Sequence, residues 1–497
     1  AFRYARVCIG GQCVWEESES VSSYVSPRLG RINVIAERVG RRFVIVGLSI
    51  AAVAMTGLAQ VARAELPDSP NQSAWITDGT VRTIESDGQG GSWIGGDFFH
   101  VGPATGPGFP VENGNTGQPN IGAFLQFAGG DVNAVVADGS GGFYVGGTFR
   151  SVGGVARDRL AHIVRDEAQF IVDTDWNPDA NGPVRALALS PDETTVYVGG
   201  EFTEVGHDFR NNAGALSGPT GLATSWQPDP DSYVTSIVVS PDGSTVYLGG
   251  DFSHLGVGAR DHIGSVTSGG TVTAWSPNAN GSVFGLAVSA DGSTVFAGGN
   301  FTSIGGLNRD SIASLDAATD TNNATSWNPG TDGNVNSIAL GSGNNVYVGG
   351  NFATVGGESL NNLAKLDSTS DLADTNFNPN PVDEVRAIAL NDGGNAIYAV
   401  GQFTQIDGES RPYAALVDAS DGGLKSWNPN PGSIASTIAT DGNNEFSFVG
   451  GTFTMASDQI APRQNFAHIL NSGQVDPNIT AAVDNTVFDI EFDAQSN

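Results

Sequence analysis

The stretch Val346-Tyr347-Val348-Gly349-Gly350-Asn351-Phe352 decides the fold of this chain, because close copies of it recur along most of the 497 residues. Each copy ends in Gly-Gly-x-Phe, or in Val-Gly-x-Phe in one case. The final phenylalanines are Phe98, Phe149, Phe202, Phe252, Phe301, Phe352, Phe403 and Phe453, with spacings of 49 to 53 residues. A fixed period of this length predicts a repeat protein in which each unit packs on its neighbours.

A second box, usually Trp-Asn-Pro, follows most of these phenylalanines by 23 to 27 residues. Its aromatic residues are Trp176, Trp226, Trp275, Trp327, Phe377 and Trp427. Phe124 takes this place in the first repeat, and Val475-Asp476-Pro477 is a degenerate copy in the last. Aromatic side chains bury large areas, so we expect them to pack between adjacent repeats.

One repeat contains four candidate strands. Residues 184–190 alternate apolar and small side chains, and Pro191-Asp192 then favours a turn. Residues 196–202, 213–216 and 222–226 supply three further short strands. Four antiparallel strands in about 50 residues are typical of one propeller blade. The sequence therefore predicts an all-β β-propeller of eight blades, with a seven-bladed ring as the alternative.

The run at residues 346–357, with the Leu-Ala-x-Leu-Asp strand at 363–367 and the aromatic-Asn-Pro box, resembles the delta-60 repeat family of bacterial β-propeller proteins. The resemblance covers roughly residues 80–493. It implies a large secreted or surface β-propeller protein, and it says almost nothing about activity.

The N-terminal region reads as an export signal. Arg41-Arg42 precede an uncharged run at residues 43–59, and Ala62-Arg63-Ala64 forms an A-x-A cleavage box. A membrane anchor is the alternative, and the export route (Sec or Tat) stays open. We therefore expect a secreted or cell-surface protein. The predicted organisation is a leader plus signal peptide at 1–64, a linker or closing strand at 65–79, and a propeller of eight repeats plus the start of a ninth at 80–497.

The start of the ninth repeat lies at residues 487–493. We expect this strand either to close the ring against a strand near Trp75 or to belong to a chain that continues beyond Asn497. Residues 101–122 are rich in Gly, Pro and Asn where the first repeat should have its third strand. That stretch is either a functional loop or a relaxed terminal blade.

The charge balance narrows the choice of partners. The chain has 22 basic and 53 acidic residues, a formal net charge of −31. Such a surface repels phosphate backbones and anionic lipid, so nucleic-acid binding and adhesion to membranes are not expected. The two cysteines, Cys8 and Cys13, both lie in the predicted leader, which leaves the predicted mature chain without a disulfide.

Six arginines occupy one slot in the repeat, eight to ten residues after the box phenylalanine. They are Arg157, Arg210, Arg260, Arg309, Arg411 and Arg463. A ring of cations would suit an acidic sugar or a carboxylate ligand. The alternative is structural, with each arginine holding a loop to a nearby carboxylate such as Asp158, Asp261 or Asp310. Repetition favours the structural role, because binding sites usually break symmetry.

Two acidic loops are candidates for calcium. They contain Asp173 and Asp175, and Asp229 and Asp231. Carboxylate oxygens are the ligands that Ca²⁺ prefers, although neither loop follows a known calcium-binding pattern and a solvated turn is the alternative. The six histidines form no metal-protease or hydrolase motif, so we predict no catalytic residue.

These features favour an exported, monomeric and non-enzymatic β-propeller that binds glycan or a surface or matrix protein. The alternative is a secreted enzyme that acts on polysaccharide from the central depression. Symmetry distinguishes the two. A catalytic pocket should show one cluster of unlike polar residues on a single face, whereas a scaffold should repeat the same residues in every blade.

Overall fold

The computed structural model describes residues 3–9, 12–18, 75–77, 80–86, 92–97, 100–103, 106–112, 125–166, 169–441, 446–453, 461–462, 466–469 and 489–492. Every regular element among these residues is a β-strand, so the predicted all-β class is confirmed. In this part of the chain no helix has the length and apolar character needed to cross a membrane.

The strands before the regular repeats, and those of the first complete repeat, are mostly short. They are β1 (Arg3–Ile9), β2 (Gln12–Ser18), β3 (Trp75–Thr77), β4 (Thr80–Ser86), β5 (Ser92–Asp97), β6 (His100–Pro103), β7 (Gly108–Glu112), β8 (Phe127–Ala128), β9 (Val132–Ala137), β10 (Phe143–Gly147), β11 (Ser151–Val152), β12 (Val155–Ala156), β13 (Leu160–Asp166) and β14 (Gln169–Val172).

The next three repeats follow one pattern, in which a two-residue hairpin lies between the second and third long strands. Their strands are β15 (Val184–Leu189), β16 (Thr195–Gly200), β17 (Glu204–Val205), β18 (Asp208–Phe209), β19 (Ala213–Ser217), β20 (Val234–Val239), β21 (Thr245–Gly250), β22 (His254–Leu255), β23 (Gly258–Ala259), β24 (Ile263–Thr267), β25 (Val283–Val288), β26 (Thr294–Gly299), β27 (Ser303–Ile304), β28 (Leu307–Asn308) and β29 (Ile312–Asp316).

The remaining strands continue the pattern with small variations. They are β30 (Asn334–Leu340), β31 (Asn345–Asn351), β32 (Leu363–Asp367), β33 (Val385–Leu390), β34 (Ala396–Gly401), β35 (Gln405–Ile406), β36 (Glu409–Ser410), β37 (Ala414–Asp418), β38 (Ala435–Thr440), β39 (Phe446–Gly451), β40 (Ala461–Pro462), β41 (Phe466–Ile469) and β42 (Asp489–Phe492).

Among the described residues, eight antiparallel sheets contain a box strand. Seven of them pack on one another in succession and are numbered here in chain order, and the eighth is β4-β5-β41. Sheet 1 is β9-β10-β13-β14, sheet 2 is β15-β16-β19, sheet 3 is β20-β21-β24, sheet 4 is β25-β26-β29, sheet 5 is β30-β31-β32, sheet 6 is β33-β34-β37, and sheet 7 is β38-β39-β7. In sheets 1 to 6 the strands follow one another in sequence, as the hairpin signals between them predicted.

The predicted fourth strand is full length only in sheet 1, where β14 pairs with β13. In sheets 2 to 6 it shrinks to a single bridge, such as that between Leu216 and Ala223. The strand predicted at residues 222–226 is therefore too long.

Each sheet packs on the next through its first strand. β9 lies against β15, β15 against β20, β20 against β25, β25 against β30, β30 against β33, β33 against β38, and β38 against β9. This succession of packed antiparallel sheets is the arrangement of blades in a β-propeller.

The first glycine of the box permits this close packing. A Cβ on Gly298 of sheet 4 would lie 2.6 Å from Cγ1 of Val335 in sheet 5. Glycines at the same position meet the valine of the following sheet in sheets 1, 2, 3 and 5, and a Cβ on Gly450 of sheet 7 would lie 2.3 Å from Cγ1 of Val132 in sheet 1. In sheet 6 this position is Val400, and the first strand of sheet 7 begins with Ala435 instead of valine. Glycine at this position therefore makes room for the valine of the neighbouring sheet.

The core consists of clusters that join adjacent sheets. The box phenylalanines from Phe149 to Phe453 are almost fully buried. The aromatic residue of the second box also contacts the next repeat: the indole N–H of Trp226 donates to the carbonyl of Thr267 in sheet 3 at 3.0 Å, and Trp275 donates to Asp316 in sheet 4 at 3.0 Å. The predicted packing of these aromatics between repeats agrees with this arrangement.

The first and last repeats exchange their third strands. β7 comes from the first repeat, yet it pairs with β39 of the last repeat, with Phe446 opposite Glu112 and Gly450 opposite Gly108. In return β41, from the last repeat, pairs with β5 of the first. Both interpretations of residues 101–122 therefore missed a strand, because its partner lies at the far end of the chain.

The C-terminal strand also pairs differently from the prediction. β42 lies within residues 487–493, and it pairs with β1 rather than with a strand near Trp75. The strand at Trp75 is β3, and its partner is β6.

Candidate functional site

The predicted arginine slot is structural in its contacts. Arg157, Arg210 and Arg309 are only 5 to 6% exposed. In sheet 4, Arg309 donates to the carbonyl of Asn308 at 2.7 Å and to that of Thr325. Thr325 lies two residues before the box tryptophan, so the guanidinium ties the loop before the third strand to the segment after it.

The other arginines of the slot repeat this geometry. Arg157 donates to Asp173 and Thr174, Arg210 donates to Phe209 and Thr224, Arg260 donates to Ala259 and Thr273, and Arg411 donates to Ser410, in each case to a backbone carbonyl. Arg463 lies outside the described residues. The partners are mainly carbonyls rather than the carboxylates of Asp158, Asp261 and Asp310. Binding of an acidic ligand stays a prediction, and it would require these contacts to break.

The first acidic loop is part of a buried polar cluster in sheet 1. Nδ1 of His162 lies 2.9 Å from Oδ2 of Asp173, and Nε2 lies 3.1 Å from Oδ2 of Asp138. The imidazole ring stacks on Tyr144 with ring centroids 4.2 Å apart. Oδ1 of Asp173 accepts from the backbone N–H of Asp175.

Hydrogen bonds and nearby charges shift the pKa values of groups in this cluster. Burial would raise the pKa of Asp138, but hydrogen bonds from His162 and from the N–H groups of Ser140 and Gly142 outweigh it and lower the pKa. Burial, followed by the nearby negative charges, raises the pKa of Tyr144 to about 12. The carboxylates are thus engaged inside the protein.

The second acidic loop is also occupied by internal bonds. Asp231 accepts hydrogen bonds from Ser253 and His254, including both of their backbone N–H groups. Partial burial opposes ionisation, but these bonds outweigh it and lower the pKa of Asp231 to about 2. Asp229 accepts from the side-chain amide of Gln227.

The structure gives the calcium prediction no ligand set. Within the described ranges, no group of three or more His, Cys, Asp or Glu side chains is placed to hold a metal ion. Calcium binding by Asp173, Asp175, Asp229 and Asp231 stays a prediction.

A groove lies between neighbouring sheets, at the end where the first strand turns into the second. Its floor is an aromatic pair, one ring from the second strand and one from the second box. Tyr197 meets Trp226 at 5.1 Å in sheet 2, and Phe296 meets Trp327 at 5.4 Å in sheet 4, both edge to face. The same pair recurs in the other sheets and forms a constant frame.

One position above this frame changes from sheet to sheet. It consists of one residue of the third strand and one residue of the segment before the second box. In each sheet the backbone N–H of the second residue donates to the carbonyl of the first. The six pairs are His162 and Asp173, Ala215 and Thr224, Ser265 and Thr273, Ser314 and Thr325, Lys365 and Asp374, and Leu416 and Lys425. This variable pair therefore gives each groove its own chemistry.

The variable pair lines two open grooves. The groove between sheets 2 and 3 has a volume of about 480 Å³ and includes Ala215 and Thr224. The groove between sheets 4 and 5 has a volume of about 980 Å³ and includes Ser314 and Thr325. Volumes of several hundred Å³ are typical of ligand sites.

Comparisons with known proteins add little to this picture. No family model matches the chain, and no curated protein matches it. Among solved structures, the WD40 β-propeller domain of Doa1 is similar to this chain, with a TM-score of 0.49 and 12% sequence identity. The match covers 71% of this chain and 96% of that one.

Sequence reasoning missed the variable pair. The third-strand residue and its partner are 8 to 11 positions apart, and neither belongs to the conspicuous glycine, phenylalanine or tryptophan boxes. The third-strand residue always lies 13 positions after the box phenylalanine, but other positions of the repeat vary as much, so the sequence alone does not mark it.

Proposed function

We propose that sheets 1 to 7 close into a seven-bladed ring. Two contacts support this count over the predicted eight: β38 lies against β9, and Gly450 of sheet 7 meets Val132 of sheet 1 in the way that each sheet meets the next. β7 completes the seventh sheet from the N-terminal side. The pairing of β5 with β41 uses the remaining strands of the first and last repeats.

We infer that the protein is an exported, non-enzymatic binding module whose ligands are glycans or surface proteins. The variable pair on a constant aromatic frame carries this proposal. A rigid scaffold that holds its core residues and varies the positions around a groove is suited to recognition. The predicted export signal and the resemblance to delta-60 repeat proteins support the location outside the cell.

The polar cluster in sheet 1 bears on the enzymatic alternative. Its variable pair, His162 and Asp173, differs from the pairs of the other sheets, which is the asymmetry expected of a catalytic pocket. However, both imidazole nitrogens of His162 face carboxylates, and those carboxylates accept further bonds from the backbone. A general acid or base needs a free atom within reach of substrate, so this geometry favours a structural cluster.

The test is a binding screen of the purified full-length chain. Immobilised glycans and extracellular matrix proteins are probed with calcium and again with a chelator. We expect saturable binding to one class, because the grooves are preformed. Loss of binding in chelator would assign a role to the acidic loops. A folded chain that binds neither class in either buffer would contradict the proposal.

A further inference from the structure

The groove between sheets 4 and 5 is twice the volume of its counterpart between sheets 2 and 3, about 980 against 480 Å³. The turn of the following sheet explains the difference. In sheet 3 this turn is Pro241-Asp242-Gly243, whereas in sheet 5 it is Gly341-Ser342-Gly343. A Cβ on Gly343 would meet no atom within 4 Å, so this wall of the groove is open.

Uncharged hydrogen-bonding groups line the enlarged groove. The side chains of Ser326, Ser342, Asn344 and Ser368 belong to the lining, and within the described chain none of them is held by a hydrogen bond. A hydroxyl both donates and accepts, and an amide offers one group for each role. Vicinal hydroxyls of a sugar also donate and accept, so these four side chains are complementary to a saccharide.

The charges of the groove argue against an ionic ligand. Its lining contains no cationic side chain, and its two carboxylates belong to Asp291 and Asp371. Hydrogen bonds from Ser289 and Ser293 lower the pKa of Asp291 to about 2. Asp371 accepts the backbone N–H of Asn328 at 2.7 Å. Both carboxylates are engaged, and their negative charge repels acidic sugars.

We propose that the groove between sheets 4 and 5 binds a neutral oligosaccharide through Ser326, Ser342, Asn344 and Ser368. This inference rests on the proposed binding function and specifies its site and ligand class. The buried rings of Phe296 and Trp327 form the floor, and the free hydroxyl and amide groups provide the specificity.

Calorimetric titration of the full-length chain tests the inference. The probes are neutral hexasaccharides of glucose, xylose, mannose and N-acetylglucosamine, with polygalacturonate as the acidic comparison. We expect one neutral probe to bind. S342W places a large ring at the exposed mouth of the groove and should weaken that binding at least ten-fold. Removal of two hydrogen-bonding groups by S326A with N344A should weaken it by about ten-fold.

S359W is the matched control, because Ser359 is equally exposed but lies at the opposite end of sheet 5, and we expect wild-type affinity. If S342W does not fold, the double alanine variant decides. Equal binding of a neutral probe by the wild type and the groove variants would overturn the inference and leave the binding function standing. Preference for polygalacturonate, or binding to a matrix protein alone, would also overturn the inference while leaving the binding function standing. Failure of every probe in both screens would contradict both proposals.

Discussion

The buried arginines of the repeat donate hydrogen bonds to backbone carbonyls that would otherwise lack a partner. In each repeat, two segments have backbone carbonyls that accept no hydrogen bond from a strand. One segment lies between the short hairpin and the third strand, and the other lies just before the second box. One guanidinium reaches both places, as Arg309 does for Asn308 and Thr325. Buried backbone acceptors need partners, so one side chain per repeat serves for several backbone bonds.

Replacement of Arg309 by alanine should therefore lower stability. Two part-buried carbonyls lose their donor and the packing of a buried side chain is lost, so we expect the free energy of unfolding to fall by about 2 kcal/mol. Urea denaturation followed by tryptophan fluorescence measures the change. Arg150→Ala is the control, because the ion pair of Arg150 with Asp158 at 2.9 Å is largely exposed and such pairs contribute little.

Ligand binding by the Arg309→Ala variant distinguishes a structural role of the arginine slot from a role in ligand binding. If Arg309→Ala abolished glycan or protein binding with no loss of stability, the cationic-ring interpretation would replace the structural one.

The sequence allowed the arginine slot to be predicted, but not the hydrogen-bond acceptors of its arginines. The constant spacing from the box phenylalanine identified Arg157, Arg210, Arg260, Arg309 and Arg411 as equivalent. Their acceptors are backbone carbonyls, which every residue possesses, so no pattern of side chains marks them. The nearby aspartates were conspicuous because their side chains carry charge, yet in the part of the chain that the structure describes only Asp208 pairs with an arginine of this slot.

Among the strands, the second of each sheet is the most constrained. It is buried along its whole length in sheets 2, 3 and 4 apart from its first residue, because it has sheet neighbours on both sides and packed sheets on both faces. Its glycine then limits how near the following sheet can come. The approach of Val335 to Gly298 is one example of a contact that recurs in sheets 1 to 5 and in sheet 7.

Gly298→Ala tests that contact. The added methyl would lie 2.6 Å from Cγ1 of Val335, so the sheets must separate, and we expect a loss of about 1 to 3 kcal/mol in the free energy of unfolding. Val335→Ala in the same chain makes room for the methyl and should give a favourable coupling energy in a double-mutant cycle. Thermal or urea unfolding supplies the values.

Gly393→Ala serves as the comparison, since a Cβ there would meet nothing closer than 3.6 Å and the turn is exposed. A coupling energy of zero between the substitutions at positions 298 and 335 would show that the two residues do not limit the packing of these sheets.

The strands of the central repeats could be predicted from period-two patterns and turn residues, and the predicted strand at residues 184–190 differs from β15 by one residue. The length of the fourth strand could not, because sheets 1 to 6 share the aromatic-x-Pro box and yet only sheet 1 forms the full strand. Pairing across the whole chain, as between β7 and β39, leaves no local pattern at all.

For the molecule as a whole, the closing strand decides how the repeats are counted. Eight copies of the box led to a prediction of eight blades, since a repeat count does not reveal which repeats donate strands to one another. The proposed seven-bladed ring uses β7 to complete sheet 7. Phe109 of β7 is fully buried and meets Phe453 edge to face at 5.3 Å.

Phe109→Ala should destabilise the whole protein. Removal of a buried aromatic ring usually costs about 3 to 5 kcal/mol, and here it also loosens the strand that completes the seventh sheet. Unfolding midpoints measure the loss. Phe209→Ala, at a side chain that is 53% exposed, should change stability by less than about 0.5 kcal/mol. Similar values for both variants would contradict the closing role of β7.

The exchange of strands between the ends of the chain also sets the order in which the protein folds. Glu112 pairs with Phe446, which lies 334 positions further along the chain, whereas the hairpins of sheets 2 to 6 join residues that are near neighbours in sequence. Local hairpins form quickly, but a contact of such high sequence separation must first overcome the entropy of a very long loop. In the proposed seven-bladed ring, sheets 1 to 6 can assemble during synthesis before β38 and β39 have been made, so we expect completion of the ring to be a late and slow step.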